Sequence, residues 1–174
     1  MKELEYPFDA EQLIKKKKSI KKQLLQDTTT DYINKKIAIL GGETTQNIKL
    51  ILELFLLNNG IKPEFYESEY NQWYEDGLFP NDELEKFAPD VIYICTCVRN
   101  ILDFPVLSDD SESITRKLGN AYSKFEGVWE NLGQTYHCPI IQNNFEYPFF
   151  RLLGNKDASD IHGRVNFVTS VLYH

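Results

Sequence analysis

Short unbroken apolar runs alternate along this chain with segments whose apolar residues recur every three or four positions. Ile37-Ala38-Ile39-Leu40 is a run of the first kind, and so is Val91-Ile92-Tyr93-Ile94-Cys95-Thr96-Cys97. Both suit strands covered on two faces. Residues 63–68 alternate well enough for another strand, and residues 138–142 form a fourth. Helical spacing marks residues 8–26, with Leu13, Ile20 and Leu24 on one side and a lysine run around the rest. A second helix follows Gly41-Gly42, capped by Thr44 or Thr45 and ended by Gly60. Asn81 or Asp82 caps a short helix ending near Phe87. A long helix begins at Asp109, Asp110 or Ser111 and runs to about Leu132, with Ile114, Leu118, Tyr122, Phe125 and Trp129 as its stripe. Residues 164–173 read as a last helix, and residues 26–35 as a connector.

Strands and helices alternate, so the expected fold is α/β with a mainly parallel sheet in the order 2-1-3-4 and helices on both faces. Residues 1–34 read as a basic helix and connector, and residues 35–174 as the α/β domain. Ile92, Ile94 and Ile141 are the expected core of the central strands. The loops after strands one, three and four span residues 41–45, 97–100 and 143–146. They meet at the C-terminal edge of the sheet, where open α/β sheets keep their sites.

Composition narrows the function. With 42% hydrophobic residues the chain of 174 suits one domain with a sizeable core. A net charge of −7 argues against general nucleic-acid binding, which requires a basic surface. No apolar run reaches the roughly 18 residues of a membrane span, and the N-terminus lacks the apolar stretch of a secretory signal. Three cysteines form no even disulfide framework, and a reduced cytoplasmic setting is the simplest reading.

The chemistry-bearing residues gather in the loops. Gly41-Gly42 allows close backbone approach, but neither GxGxxG nor a P-loop is present. Glu43 sits where a carboxylate is comfortable beside a helix N-terminus, as a capping charge or as a general base. Thr44 could act as a nucleophile or as a cap, and Thr45 as a binding group. Arg99 and Asn100 could bind an anion or donate to an oxyanion, or cap the next loop. Asn143 and Asn144 carry the same two readings. Asp157, Asp160 and His162 either order their own loop or supply an Asp-His pair. Cys95 and Cys97 share one face of a strand. They read as inert thiols and not as metal ligands, with Cys97 the one placed to react.

Three segments together carry a resemblance. They are IAILGGETTQNIKLILELFLLNNGIKPEFYESEYNQW, FAPDVIYICTCVRNI and YHCPIIQNNFEYPFFRLLGNKDASDIHGRVNF. Over roughly residues 35–168 the chain resembles the N-terminal domain of FkbH-like proteins of the haloacid-dehalogenase superfamily, subfamily IIIC. The resemblance implies a three-layer, flavodoxin-like sandwich of the SGNH-hydrolase kind. It also implies a phosphatase-like domain elsewhere in such proteins, which would hold the Mg, so no cofactor is expected on this chain. Relatives serve secondary-metabolite and surface-polysaccharide pathways. An acyl carrier protein or a downstream haloacid-dehalogenase-type domain is the implied partner.

Two departures bear on activity. The first turn is GGETT where relatives carry GGSTT, so Glu43 stands at the place of the nucleophile. Residues 96–100 read Thr-Cys-Val-Arg-Asn, keeping Arg99 and Asn100 but not the Ser and Asn before them. No Asp-x-Asp motif occurs, and the chain is expected to end before a fifth strand. Three readings follow: a non-catalytic binding or organising domain, an active hydrolase or acyltransferase using residues such as Thr44, Asn100 and His162, and a carrier-protein module presenting either the acidic surface or the basic helix from Lys15 to Lys22.

Overall fold

The computed structural model describes residues 1–27 and 30–173. Four parallel strands form one sheet in the order β2-β1-β3-β4: β1 Ile33–Gly41, β2 Ile61–Glu67, β3 Val91–Cys95 and β4 Ile140–Gln142. The helices are α1 Ala10–Gln26, α2 Gln46–Asn58, α3 Trp73–Leu78, α4 Asp82–Phe87, α5 Ser111–Tyr136 and α6 Arg164–Leu172.

The unbroken apolar run of β1 is explained by its two covered faces. Ala38 and Leu40 join Ile92 and Ile94 of β3 in a core roofed by α3, α4, α5 and α6. Ile37 and Ile39 face the other way, with Cys95, and pack against Ile48 and Leu56 of α2. Helix α1 then lies on the outer side of α2, where Leu13, Ile20 and Leu24 meet Leu54 and Leu57. Its lysines at 15, 16, 18 and 22 stay exposed, while Lys21 reaches Glu53 at 2.7 Å.

Several boundaries differ from expectation for identifiable reasons. Strand β1 begins at Ile33, so the connector is shorter than residues 26–35, and its Thr28 and Thr29 lie outside the described residues. Helix α3 was not foreseen. Its six residues are too few for a periodic signal, and it is held by packing, with Trp73 stacked on Phe125 at 5.1 Å. Gly77 of α3 lies so close to α5 that a Cβ there would sit 2.7 Å from Val128. Helix α5 runs four residues past Leu132, to a left-handed His137.

Ile141 is not core. It is 56% exposed, whereas Ile92 and Ile94 are fully buried. The reason is register. Ile140 pairs with Ile92 and turns toward the main core, so Ile141 takes the opposite face beside Tyr93. On that face α2 packs against β1 and β2, and β4 lies at the far edge of the sheet. Cys97 also departs from expectation. Strand β3 stops at Cys95, and Cys97 instead opens a short 3-10 turn, Val98–Asn100.

Candidate functional site

Chain direction across the sheet reverses at β1: the next strand, β2, lies on one side of it and β3 on the other. A reversal of this kind leaves a crevice at the carboxyl ends of the two strands concerned. The loops after β1 and β3 meet there. The Gly42 N–H donates to the Cys95 carbonyl at 2.7 Å, and the Gly41 N–H to Ser68 Oγ at 2.8 Å. The β4 loop joins through Asn143, whose Oδ1 accepts from the Thr96 N–H at 2.9 Å while its Nδ2 donates to the Thr96 carbonyl at 2.7 Å. Asn143 Nδ2 also donates to the carbonyl of Asn144. Asn144 thus enters this network through its backbone.

Asn100 is the hub. Its Oδ1 accepts from the Cys97 N–H at 2.8 Å, and its Nδ2 donates to the Gly42 carbonyl and to Asn71 Oδ1, each at 3.2 Å. The side chain is buried, so both donor hydrogens and its acceptor are already engaged within the fold. Glu43 stands beside it at the crevice. Its Oε1 accepts from the Cys95 thiol at 3.9 Å, and its Oε2 lies 3.9 Å from Arg99, whose guanidinium is mostly in solvent. Such a long, exposed ion pair contributes little to stability.

The threonines take different roles from those expected. Thr45 occupies the N-cap position of α2 but makes no capping hydrogen bond. Its hydroxyl donates instead to Glu67 Oε1 at 2.5 Å, and Lys49 donates to Glu67 Oε2. Burial works to raise the Glu67 pKa, but these two hydrogen bonds outweigh it and hold the carboxyl below its ordinary value. Thr44 is exposed, and no base contacts it among the described residues.

The Asp-His segment is placed apart from this hub. His162 Nδ1 bonds Asp160 Oδ1 at 3.0 Å, and its Nε2 bonds the Asp109 carbonyl at 2.9 Å. Both partners are acceptors, which favours the protonated ring, and its pKa is raised by the Asp109 carbonyl first and by Asp160 next. A ring committed in this way is a clip between two loops and not a free base. Asp157 is fully buried and accepts from the N–H groups of Leu153 and Val165, which makes it the remote cap of α6. Cys97, expected to be the reactive thiol, is buried, and burial foremost pushes the Cys95 thiol above its ordinary pKa. Among the described residues, no group of three or more His, Cys, Asp or Glu side chains could hold a metal ion. No helix among them is long and apolar enough to cross a membrane.

Sequence reasoning missed Ser68 and Asn71. Both follow β2, which borders β1, so the same topological argument extends to a fourth loop at this edge. Asn71 has a φ of +62°, a conformation that asparagine tolerates better than most residues. An asparagine in a polar loop after a parallel strand was the available signal.

One solved structure resembles this arrangement. It is the N-terminal part of the protein BF1531 from Bacteroides fragilis, which contains a phosphatase domain and is complexed with Mg. The match has a TM-score of 0.71 at 20% identity and covers 90% of this chain. The chain spans 40% of that structure's length, and the likeness at this identity is one of fold. No family model and no curated protein matches the chain.

Proposed function

We propose that this chain is an SGNH-like domain of an FkbH-like, haloacid-dehalogenase-type protein, and that it binds or organises without hydrolysing. Its setting would be secondary-metabolite or surface-polysaccharide biosynthesis, with a phosphatase-type domain or an acyl carrier protein as partner. The observation that carries the reading is the state of the crevice. Glu43 stands in the turn after β1 with its carboxylate toward Arg99, and Asn100 spends its amide on Gly42 and Asn71. An oxyanion needs free donors aimed at it, and a carboxylate beside that position opposes negative charge.

The hydrolase alternative lacks a working pair. Thr44 has no base in contact among the described residues, and His162 commits both ring nitrogens elsewhere. The likeness in fold to a protein with a phosphatase domain supports the proposed parent. The exposed lysines of α1 favour a carrier-protein contact as a second reading, because an acidic carrier would prefer that face. Reversing the charge of Lys15, Lys16 and Lys18 would then abolish carrier binding and leave the crevice unaffected.

The test of the main reading is labelling with a fluorophosphonate serine-hydrolase probe, run beside hydrolysis of p-nitrophenyl butyrate. The chain should neither take the probe nor release p-nitrophenol above the buffer rate. Labelling that disappears in Thr44→Ala would overturn the proposal and make Thr44 the nucleophile.

A further inference from the structure

A second concavity of about 520 Å³ opens near the crevice, lined on one side by the β3 loop and on the other by residues 146–150. Its apolar walls are Phe104, Tyr147, Phe149 and Phe150. Phe149 is 91% exposed and Phe150 71%, with their rings edge to face at 5.1 Å. Two adjacent aromatic rings left in water on one loop form an apolar surface that folding alone does not require.

Arg99 and Arg164 line the same groove. The Arg164 guanidinium lies over the Phe104 ring at 5.3 Å. Its Nε–H is buried without a hydrogen-bond partner, and among the described residues no ion pair or hydrogen bond reaches this side chain. An unsatisfied buried donor on a permanent cation is costly, and in native proteins such a group calls for a missing partner. The groove's own carboxylate, Glu146, accepts from the Val98 N–H at 3.2 Å and makes no ion pair with Arg164 among the described residues. Among the described residues, Arg99 makes one ion pair, the long contact to Glu43.

We propose that this groove binds a small amphiphilic anion, a carboxylate or phosphate ester carried on an apolar chain. The head group would meet Arg164 and Arg99, and the chain would lie on the aromatic walls. Guanidinium groups suit either head, since both offer paired oxygens to a planar fork of donors. The volume falls within the range of small-molecule sites. Glu43 does not line this groove and touches it only through Arg99, so Arg164 and the aromatic walls carry the inference whether or not the crevice hydrolyses esters.

The test is a calorimetric titration of the full chain with octyl phosphate and octanoate below their micelle concentrations. Inorganic phosphate and octyl glucoside are the controls that lack the tail or the charge. At least one of the two anions should saturate, and each control should bind about tenfold more weakly or worse. Saturation by only one anion supports the groove and names its head group. Arg164→Gln should weaken binding by about tenfold. Phe149→Ser changes a side chain that stands in solvent, so its fold is retained, and it should weaken binding severalfold even if Arg164→Gln fails to fold. The proposal is overturned if neither anion saturates, if octyl glucoside binds as tightly as octyl phosphate, or if Phe149→Ser binds like the parent chain.

Discussion

Asn100 and Gly42 occupy one another's space so closely that a side chain on the glycine has no room. The Asn100 amide donates to the Gly42 carbonyl at 3.2 Å, and a Cβ on Gly42 would lie 2.4 Å from Asn100 Oδ1. That oxygen is the acceptor for the Cys97 N–H, so displacing it also frees a buried donor. Asn100→Ala should lose about 1–3 kcal/mol for the groups left unpaired. Gly42→Ala should be destabilising for the same reason. Urea unfolding measures both, and a midpoint unchanged in either variant would show that the loops after β1 and β3 are not locked together.

The two faces of the sheet predict opposite outcomes for two isoleucines. Ile92→Ala, on the buried face of β3, should cost about 2–5 kcal/mol. Ile141→Ala, on the uncovered face of edge strand β4, should stay within about 0.5 kcal/mol of the parent. Equal losses at the two positions would require a different register for β4.

That pair also shows what the sequence could and could not reveal. Strand type was legible because continuous apolar runs report burial on two faces, and β1 and β3 have such runs; strand order followed from right-handed crossovers and the strand spacing. Which face of β4 is covered was not legible. It depends on how far α2 extends over the sheet, a tertiary fact that the run of two isoleucines does not record. That the loops carrying Glu43, Arg99, Asn100 and Asn143 meet was legible from topology, since loops after parallel strands share one edge. The partners of each group were beyond reach. Thr45 sits where a cap should be, yet its hydroxyl bonds Glu67, 22 residues away. His162 looked like half of a catalytic pair, and only the fold brings it to the Asp109 carbonyl.

His162 makes stability depend on pH in a definite direction. Its folded pKa is raised above the ordinary 6.5 by the Asp109 carbonyl and then Asp160. A raised pKa contributes stability that is full below the unfolded value and disappears as pH climbs through the folded one. Lys117 also faces this cluster, 2.9 Å from Asp109, and remains charged across that interval. Urea midpoints for the chain and for His162→Gln should therefore differ at pH 5.5 and converge toward pH 9. A gap that widened with pH would mean that the ring is held neutral.

Asp157 holds the start of α6 from a distance. Its carboxylate accepts from Leu153 and Val165, and Gly163 passes so near that a Cβ there would meet the Asp157 carbonyl oxygen at 1.9 Å. Asp157→Ala should cost at least about 1–3 kcal/mol, the loss expected of buried donors left unpaired. Gly163→Ala should be severely destabilising, because the obstructing atom is backbone and cannot rotate away. Thermal melts of both variants check this, and wild-type melting of Gly163→Ala would rule out the close passage.

The proposed occlusion puts the Glu43 carboxylate where an anion would otherwise sit. Calorimetric titration of inorganic phosphate into the parent chain and into Glu43→Ser measures this directly. Removing the carboxylate should leave the fold intact and release Arg99 from the ion pair it makes among the described residues. Phosphate affinity should then rise in Glu43→Ser. Equal phosphate binding by the two proteins would contradict the claim that Glu43 occludes the site.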